Sequence, residues 1–294
     1  MSRRLLGRLL GRPTPPPSSG DDPPAVQDRL DSAALGLPDH ATVRCLLPLP
    51  DGGLALGSDY GLTLWREGQL TPFPFPQGAR RESRRVEAMA VFDGTLHVGT
   101  QTSFYTWPFH GEAAGRGRPR DGAGGYDDLR ALFATPDRLL QGWRTHLEGG
   151  EGPPECLCFA AGWGGAVFAG TLDGALWQVD GAEVRRFERD GRGRPVRHLA
   201  FAHGALWVAA AGGLHRWDGA AWQTRGGEPY ALHADPGGTL WALEAGRLWR
   251  STDGGWPRPL PLRFARPWAL GSTPGRLWIG RKGGALAVAP NALP

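Results

Sequence analysis

The stretch GGTLWALEAGRLWRSTDGGW, residues 237–256, contains short apolar runs that are separated by glycines. Runs of about five residues between glycine and aspartate turns are typical of β-strands. Neighbours such as Leu240 and Trp241 point to opposite faces of a strand, so this stretch predicts strands that are buried on both faces. We therefore expect Leu240, Trp241, Leu248 and Trp249 to fill the spaces between stacked sheets.

The same pattern, glycine-x-apolar-x-apolar-small, recurs along the chain. Its copies start at residues 52, 94, 165, 204, 238 and 275, and a degenerate copy starts at residue 137. The spacings between successive starts are 42, 43, 28, 39, 34 and 37 residues. One apolar run precedes each copy, a third run often follows it, and several units add a weaker fourth. Repeated units of three or four short strands at this spacing predict the blades of a β-propeller.

The repeat predicts an all-β fold, a seven-bladed β-propeller over residues 43–294 with three to four antiparallel strands per blade. The spacing of 28 residues predicts that the third blade lacks its outer strand or has an irregular one. The last unit ends after three strands, so residues 25–42 are a candidate ring-closing segment. Within this segment, residues 25–37 could add a strand to the last blade or form a short helix.

The composition supports a folded chain with a separate N-terminal tail. Among 294 residues there are 46 Gly and 27 Pro, but the 13 Trp and 11 Phe argue against general disorder. Residues 1–24 are rich in Arg and Pro and predict a disordered basic tail. Its first ten residues could form a helix that docks on a partner, or could simply fray. The candidate docking residues are Arg3, Arg4, Leu5, Leu6, Arg8, Leu9 and Leu10.

Charge and cysteine content narrow the location and the class of partner. The net charge is +4, and four arginines lie in the first twelve residues, so we do not expect a nucleic-acid partner. Three cysteines, an odd and low number, favour a reducing compartment. No apolar run approaches the length of a membrane span, and the basic start has no signal-peptide core. We expect a cytoplasmic protein without membrane insertion.

A search for catalytic motifs finds no P-loop, nucleophile elbow, zinc-protease helix or paired cysteine motif. We therefore assign no catalytic residue, no metal ligand and no cofactor. Cys156 and Cys158, at a spacing of two, are expected to share one strand face, where they could bind zinc or pack in the core; we favour the core. His198 and His233 lie in first strands and could approach the central channel, although a structural role is the simpler interpretation.

One set of residues is expected to meet at the mouth of the central channel. Equivalent positions of a ring converge around its axis, and three arginines, a glutamate and a tryptophan there could bind an anionic or peptide ligand. The alternative is that the charges neutralise one another in solvent. The residues that follow the first apolar position of each inner strand are Arg44, Glu87, Arg130, Leu157, Arg197, Ala231 and Trp268. The candidate ligand-binding residues among them are Arg44, Glu87, Arg130, Arg197 and Trp268.

Three stretches carry a resemblance to a known repeat: GAVFAGTLDGALWQVDG at 165–181, GALWVAAAGGLHRWDGAAW at 204–222 and GRLWIGRKGGALAV at 275–288. They resemble the two-component regulator propeller repeat, in which a G-x-L-W-[VI]-G-T strand precedes a G-G-L strand. The resemblance spans about residues 43–290 and implies a propeller that senses a ligand or binds a protein. Such proteins usually place the propeller outside the membrane in a longer chain with a kinase, features that we do not find in this sequence.

These observations lead to two functional hypotheses. The first is a non-enzymatic protein-interaction or sensing module in a bacterial cytoplasmic assembly, with another protein as its partner. The layout also resembles the stand-alone propellers that accompany bacterial ATPase and von Willebrand A proteins. The second is an enzyme, a lyase or hydrolase that acts on an anionic sugar-like substrate at the channel mouth. Propeller enzymes build their sites from several loops, so a missing linear motif leaves this alternative open.

Overall fold

The computed structural model describes most of the chain as a propeller of antiparallel β-sheets. The predicted docking residues of the tail lie outside the described residues. Within the described part, the helices are two 3₁₀ turns, Trp163–Gly165 and Pro290–Ala292, and none could cross a membrane. The described residues are 26–73, 75, 84–108, 118–119, 129–143, 155–180, 183–187 and 194–293.

The first three sheets in the ring follow one another along the chain after an initial strand, β1 (Val26–Asp31). Sheets 1 and 2 have four strands each, and sheet 3 has two among the described residues. Sheet 3 is the unit for which the short spacing predicts a reduced blade. Sheet 1 contains β2 (Val43–Pro48), β3 (Leu54–Ser58), β4 (Gly61–Arg66) and β5 (Gln69–Pro72). Sheet 2 contains β6 (Val86–Phe92), β7 (Thr95–Thr100), β8 (Phe104–Pro108) and β9 (Arg118–Pro119). Sheet 3 contains β10 (Leu129–Ala134) and β11 (Leu139–Trp143).

Sheets 4, 5 and 6 have four strands each, which follow one another from the first strand to the last. Sheet 4 contains β12 (Cys156–Ala161), β13 (Val167–Thr171), β14 (Leu176–Asp180) and β15 (Glu183–Phe187). Sheet 5 contains β16 (Val196–Ala202), β17 (Ala205–Ala210), β18 (Gly213–Trp217) and β19 (Trp222–Arg225). Sheet 6 contains β20 (Ala231–Ala234), β21 (Leu240–Glu244), β22 (Arg247–Ser251) and β23 (Arg258–Arg263).

Sheet 7 combines the end of the described chain with its beginning. It contains β24 (Pro267–Thr273), β25 (Arg276–Arg281) and β26 (Gly284–Val288), and β1 is its fourth strand. β1 runs antiparallel to β26, and the Arg276 guanidinium donates a hydrogen bond of 2.8 Å to the Asp28 carboxylate. The ring-closing segment therefore contains a strand, where the sequence left strand and helix open.

The first strands of the sheets form an inner circle. Each packs against the first strand of the next sheet, β10 lies between β6 and β12, and β24 packs against β2. The prediction of an all-β propeller with antiparallel blades is confirmed. Among the described residues, six sheets have four strands each.

The hydrophobic core lies between neighbouring sheets. Leu240 and Trp249 belong to the apolar cluster between sheets 5 and 6, and Trp241 and Leu248 belong to the cluster between sheets 6 and 7. Leu240, Trp241 and Leu248 are at most 1% exposed. The prediction that these four residues fill the spaces between sheets is confirmed, and neighbouring residues of one strand serve different interfaces.

Three equivalent tryptophans in second strands fix the turn that precedes them. The Trp207 indole N–H donates a hydrogen bond to the Ala202 carbonyl. In the same way, the Trp241 indole donates to the Asp235 carboxylate, and the Trp278 indole donates to the Thr273 hydroxyl. Asp235 also accepts the backbone N–H of Thr239 at 2.9 Å. The sequence predicts strands at these places, and these hydrogen bonds hold each strand pair in register through its turn.

The two neighbouring cysteines face different interfaces, which corrects the expectation that they share a strand face. Cys156 packs between sheets 3 and 4, whereas Cys158 packs between sheets 4 and 5. The reason is a shift of register between them, because Cys156 pairs with Thr171 and Cys158 with Gly170. The extra residue, Leu157, turns the strand by one position, so a spacing of two no longer means a common face.

Removing β1 should destabilise the ring. A chain without residues 1–31 exposes the edge of β26 and the apolar residues beneath it, and we expect the Tm to fall by roughly 10 °C or more. A chain without residues 1–24 keeps β1 and is the matched control. Differential scanning calorimetry of both chains checks this, and equal Tm values would contradict a stabilising role for the β1–β26 pair.

Asp235→Ala should lower the free energy of unfolding by about 1–3 kcal/mol, because it leaves the buried Trp241 N–H without an acceptor. Asp218→Ala is the matched control, because the Asp218 carboxylate accepts two backbone N–H groups in an exposed turn and no indole N–H. Urea unfolding measures both variants. An Asp235→Ala effect no larger than that of Asp218→Ala would show that the indole bond contributes little.

Candidate functional site

Most inner strands begin with a β-bulge, and the bulges bring the predicted mouth residues to one end of the channel. In β16, Val196 pairs with Ala210 and His198 pairs with Ala209, so Arg197 has no opposite residue. Bulges re-aim side chains and are frequent beside functional sites. The bulge residues are Arg44, Glu87, Arg130, Leu157, Arg197 and Trp268, which are six of the seven positions predicted to meet at the mouth.

In sheet 6 the equivalent residue is Tyr230, so the expectation of Ala231 there is wrong. Ala231 is paired with Leu243 and is 2% exposed, within the core. Trp268 follows Pro267 at the start of its strand, and Tyr230 follows Pro229 in the same way. In the repeat pattern, Tyr230 stands as the first apolar residue of its strand, which puts Ala231 at the next position. The repeated proline before an aromatic residue is the signal that could have identified it.

A cavity of about 870 Å³ lies at this end of the channel. Four of the equivalent positions, Leu157, Arg197, Tyr230 and Trp268, line it from sheets 4 to 7. The volume lies in the range of small-molecule sites, about 300–1,000 Å³. Of the candidate ligand-binding residues, Arg197 and Trp268 therefore share one cavity, while Arg44, Glu87 and Arg130 lie in bulges of sheets 1 to 3.

Backbone hydrogen bonds hold the wall of the cavity on the side of sheets 6 and 7. The Phe264 N–H donates to the Gly246 carbonyl at 2.7 Å, and the Lys282 N–H donates to the Arg266 carbonyl at 3.2 Å. The Gly246 N–H donates to the Tyr230 hydroxyl oxygen at 3.0 Å, which leaves the hydroxyl proton available to a ligand. These bonds fix the loops that present Phe264, Arg266 and Lys282 to the cavity.

The charges around the mouth are distributed unevenly. On the side of sheets 1 and 2, Arg44 pairs with Asp59, and Arg85 pairs with Glu87 at 2.5 Å and approaches Asp59 at 4.0 Å. The candidate charges on this side are thus paired with Asp59 and Arg85, which were not predicted for this role, and not with one another.

The opposite side of the mouth is cationic. Arg197, Arg266 and Lys282 line the cavity, and none of its described lining residues is a carboxylate. All three side chains are exposed. Arg266 lies just before β24 and Lys282 just after β25, and neither was predicted from sequence. Arg266 has a φ of +49°, an uncommon backbone conformation for arginine.

Trp268 connects the two sides. Its side chain is 49% exposed, which among the described residues is unusual for a large apolar residue. The Arg44 guanidinium lies 5.3 Å from the centre of its ring, in the range of a cation–π contact. Because Asp59 holds Arg44, the indole is fixed between a paired arginine and the open cavity.

The two histidines of the first strands are neutral at neutral pH. Burial, together with a smaller effect of nearby Arg197, lowers the pKa of His198 to about 4, and a hydrogen bond with the Tyr230 backbone opposes the shift. His198 lines the cavity. Burial also lowers the pKa of His233 to about 4, against the field of Asp235, and His233 Nε2 forms a 2.8 Å hydrogen bond with the Ser272 hydroxyl.

The cysteines are free thiols in the interfaces between sheets, where Cys156 is buried and Cys45 and Cys158 are half-buried. Burial raises the pKa of Cys156 to about 12 and also raises that of Cys158. Cys45 and Cys158 occupy equivalent positions, and each contacts a backbone carbonyl of the next sheet, that of Val86 or Val196. No group of three or more His, Cys, Asp or Glu side chains in the described residues is arranged to hold a metal ion.

The histidines should make the protein less stable in mild acid. Between pH 6.5 and about 4 the unfolded chain binds protons that the folded chain excludes, so stability falls as the pH falls through this window. The double variant His198→Gln and His233→Gln should show a shallower dependence of the unfolding free energy on pH. His40→Gln, at an exposed histidine, is the control. An unchanged slope in the double variant would contradict the buried-neutral assignment.

Comparisons with known proteins show the fold. No family model matches the chain, and no curated protein matches it. The extracellular domain of BT4673 from B. thetaiotaomicron, described as part of a hybrid two-component system, is 16% identical with a TM-score of 0.68; the match covers 85% of this chain and 38% of that one. This chain thus spans about two fifths of that domain.

Two further solved structures match this chain over most of their length. Virginiamycin B lyase from Staphylococcus aureus, solved with quinupristin, is 11% identical with a TM-score of 0.73, over 88% of this chain and 97% of the lyase. YCF48, solved with a D1 peptide, is 13% identical with a TM-score of 0.66, over 86% of this chain and 93% of YCF48. The chain is a β-propeller that resembles the extracellular domains of two-component systems and virginiamycin B lyase.

Proposed function

We propose that this chain is a non-enzymatic recognition module, which senses a ligand or binds a partner protein through an anionic group held at the channel mouth. The observation that carries the proposal is the charge of the cavity: Arg197, Arg266 and Lys282 line it, without a carboxylate among the described lining residues. Cations in a concave site with low-dielectric walls concentrate anions more strongly than the same cations on a flat surface.

The titratable groups of the cavity support binding over proton-transfer catalysis. A general base is most effective when its pKa lies near the working pH, and His198, with a pKa of about 4, is too weak a base for that role. Burial raises the pKa of Tyr230, so its hydroxyl keeps its proton. Both side chains are suited to hydrogen bonding with a ligand.

The wider setting of the module is part of the same proposal. We take the sheet-3 strands as the third of seven blades, because β10 packs between β6 and β12 as other inner strands pack between their neighbours.

The three cysteines are free thiols, which supports a reducing bacterial cytoplasm as the location of the protein. Fractionation of the native cell would check this location. YCF48, solved with a D1 peptide, is a similar propeller that binds a peptide, which makes a protein partner reasonable.

The alternative is a lyase or hydrolase that acts on an anionic sugar-like substrate at the same mouth. One observation favours it: the Tyr230 hydroxyl accepts the Gly246 N–H and can direct its proton into the cavity, as a general acid would. The cationic side would serve such an enzyme in substrate binding. The two proposals therefore share the anion site and differ in whether a bond is broken.

Calorimetric titration with inorganic pyrophosphate tests the anion site. We expect binding that weakens between about 50 mM and about 500 mM NaCl, as for an electrostatic contact. The double variant Arg197→Ala and Lys282→Ala should bind at least about tenfold more weakly. Arg258→Ala, at an exposed arginine of β23 outside the cavity, is the control.

Equal affinities of the parent and the double variant would overturn the proposed site. Turnover of an anionic polysaccharide such as polygalacturonate is followed by the absorbance of unsaturated products. Turnover that is abolished by Tyr230→Phe or Arg130→Ala would replace the recognition proposal with the enzyme alternative. No turnover, together with salt-sensitive pyrophosphate binding, would support recognition.

A further inference from the structure

The cavity has an apolar side as well as a cationic one. Leu157, Phe264, Pro267 and Trp268 line it together with the aromatic ring of Tyr230. A simple inorganic anion would use the cations and leave these rings against water. Apolar surface in a cleft contributes to affinity when a ligand removes it from water.

Trp268 is the part of this surface that its own fold leaves open. It lies at the bulge of β24 and is 49% exposed. Its equivalents in the other sheets are mostly charged, whereas Trp268 presents an apolar ring at this position. The Arg44 guanidinium stacks 5.3 Å from the ring centre and is itself held by Asp59. A ring fixed in this way needs little ordering when a flat group stacks on it, because its side-chain entropy is already reduced.

We propose that the ligand of this cavity is a small organic anion that carries a flat apolar or aromatic group. The group stacks on Trp268, the anionic end lies among Arg197, Arg266 and Lys282, and the Tyr230 hydroxyl donates a hydrogen bond to an acceptor on the ligand. This specificity rests on the anion site of the proposed function and adds the second half of the ligand. The cavity volume of about 870 Å³ suits a molecule of this size.

Matched probes separate the two halves. The full chain is titrated with 2-naphthoate, which has the ring and the charge, with acetate, which has only the charge, and with 2-naphthylmethylammonium, in which the charge is reversed. We expect 2-naphthoate to bind about tenfold or more tightly than acetate, in line with stacking on an aromatic side chain. The ammonium probe should bind at least tenfold more weakly than 2-naphthoate, because three cations oppose it.

Variants assign each half to its residues. Trp268→Ala should weaken 2-naphthoate binding about tenfold and leave pyrophosphate binding unchanged, and Trp268→Phe should recover most of the loss. Leu172→Ala, at the other exposed large apolar side chain of the described residues, is the control, since Leu172 is 43% exposed and lies outside the cavity lining. The double variant Arg197→Ala and Lys282→Ala should weaken the binding of both 2-naphthoate and pyrophosphate. Circular dichroism and Tm values establish that each variant is folded.

The outcomes distinguish the inference from the proposed function. If 2-naphthoate binds no more tightly than acetate, or binds Trp268→Ala as it binds the parent, the aromatic half is wrong while pyrophosphate binding still supports the anion site. If no anion binds and the charge variants change nothing, both fail. If 2-naphthoate and its ammonium analogue bind equally, the cavity is an apolar site and the assigned charge recognition is wrong.

Discussion

Most of the described sheets have two apolar faces, and a face stays buried only while another sheet covers it. This single requirement generates the ring. Leu240 and Trp241, adjacent in one strand, pack against different neighbouring sheets, so a sheet without either neighbour would expose a tryptophan-rich surface. Hydrophobic burial of this kind is non-directional, and the hydrogen bonds from Trp207, Trp241 and Trp278 to their turns add the register that it lacks.

The repeated β-bulge connects the fold to the site. By inserting one unpaired residue at the start of an inner strand, it releases a side chain from the space between sheets and places it at the channel mouth. The same device explains why Cys156 and Cys158 diverge and why Arg197 and Trp268 meet around one cavity. The charges at the mouth differ around the ring: those near sheets 1 and 2 are paired, whereas the described cavity lining near sheets 4 to 7 holds cations and no carboxylate.

Much of the fold could be predicted because the same sequence pattern of apolar runs and glycines recurs along the chain. Periodic glycines and apolar runs identify the strands, and equivalent positions in units of similar length identify the mouth, including Arg197 and Trp268. Tyr230 was missed by one position, since an aromatic residue at a strand start reads as core until the bulge is known. The ring-closing strand could be proposed but not separated from a short helix.

The cationic side of the cavity was less accessible to sequence reasoning. Arg266 and Lys282 lie in loops outside the inner strands, where the repeat gives no register, and the Lys282 N–H reaches the Arg266 carbonyl only in the folded ring. Asp59 is similar: its pairing with Arg44 depends on the turn after β3 folding back over β2. Contacts between loops depend on three-dimensional closure, which a linear pattern does not encode.

The β1–β26 pair also determines how the ring responds to force and to rearrangement of its chain. The two strands come from opposite ends of the described ring and lie side by side, antiparallel. A pull on the two ends would load this one seam before any other sheet. Since β1 and β26 pair without a covalent connection, joining β26 to β1 by a short linker and opening the chain in a turn elsewhere should give a circularly permuted ring with the same described sheets.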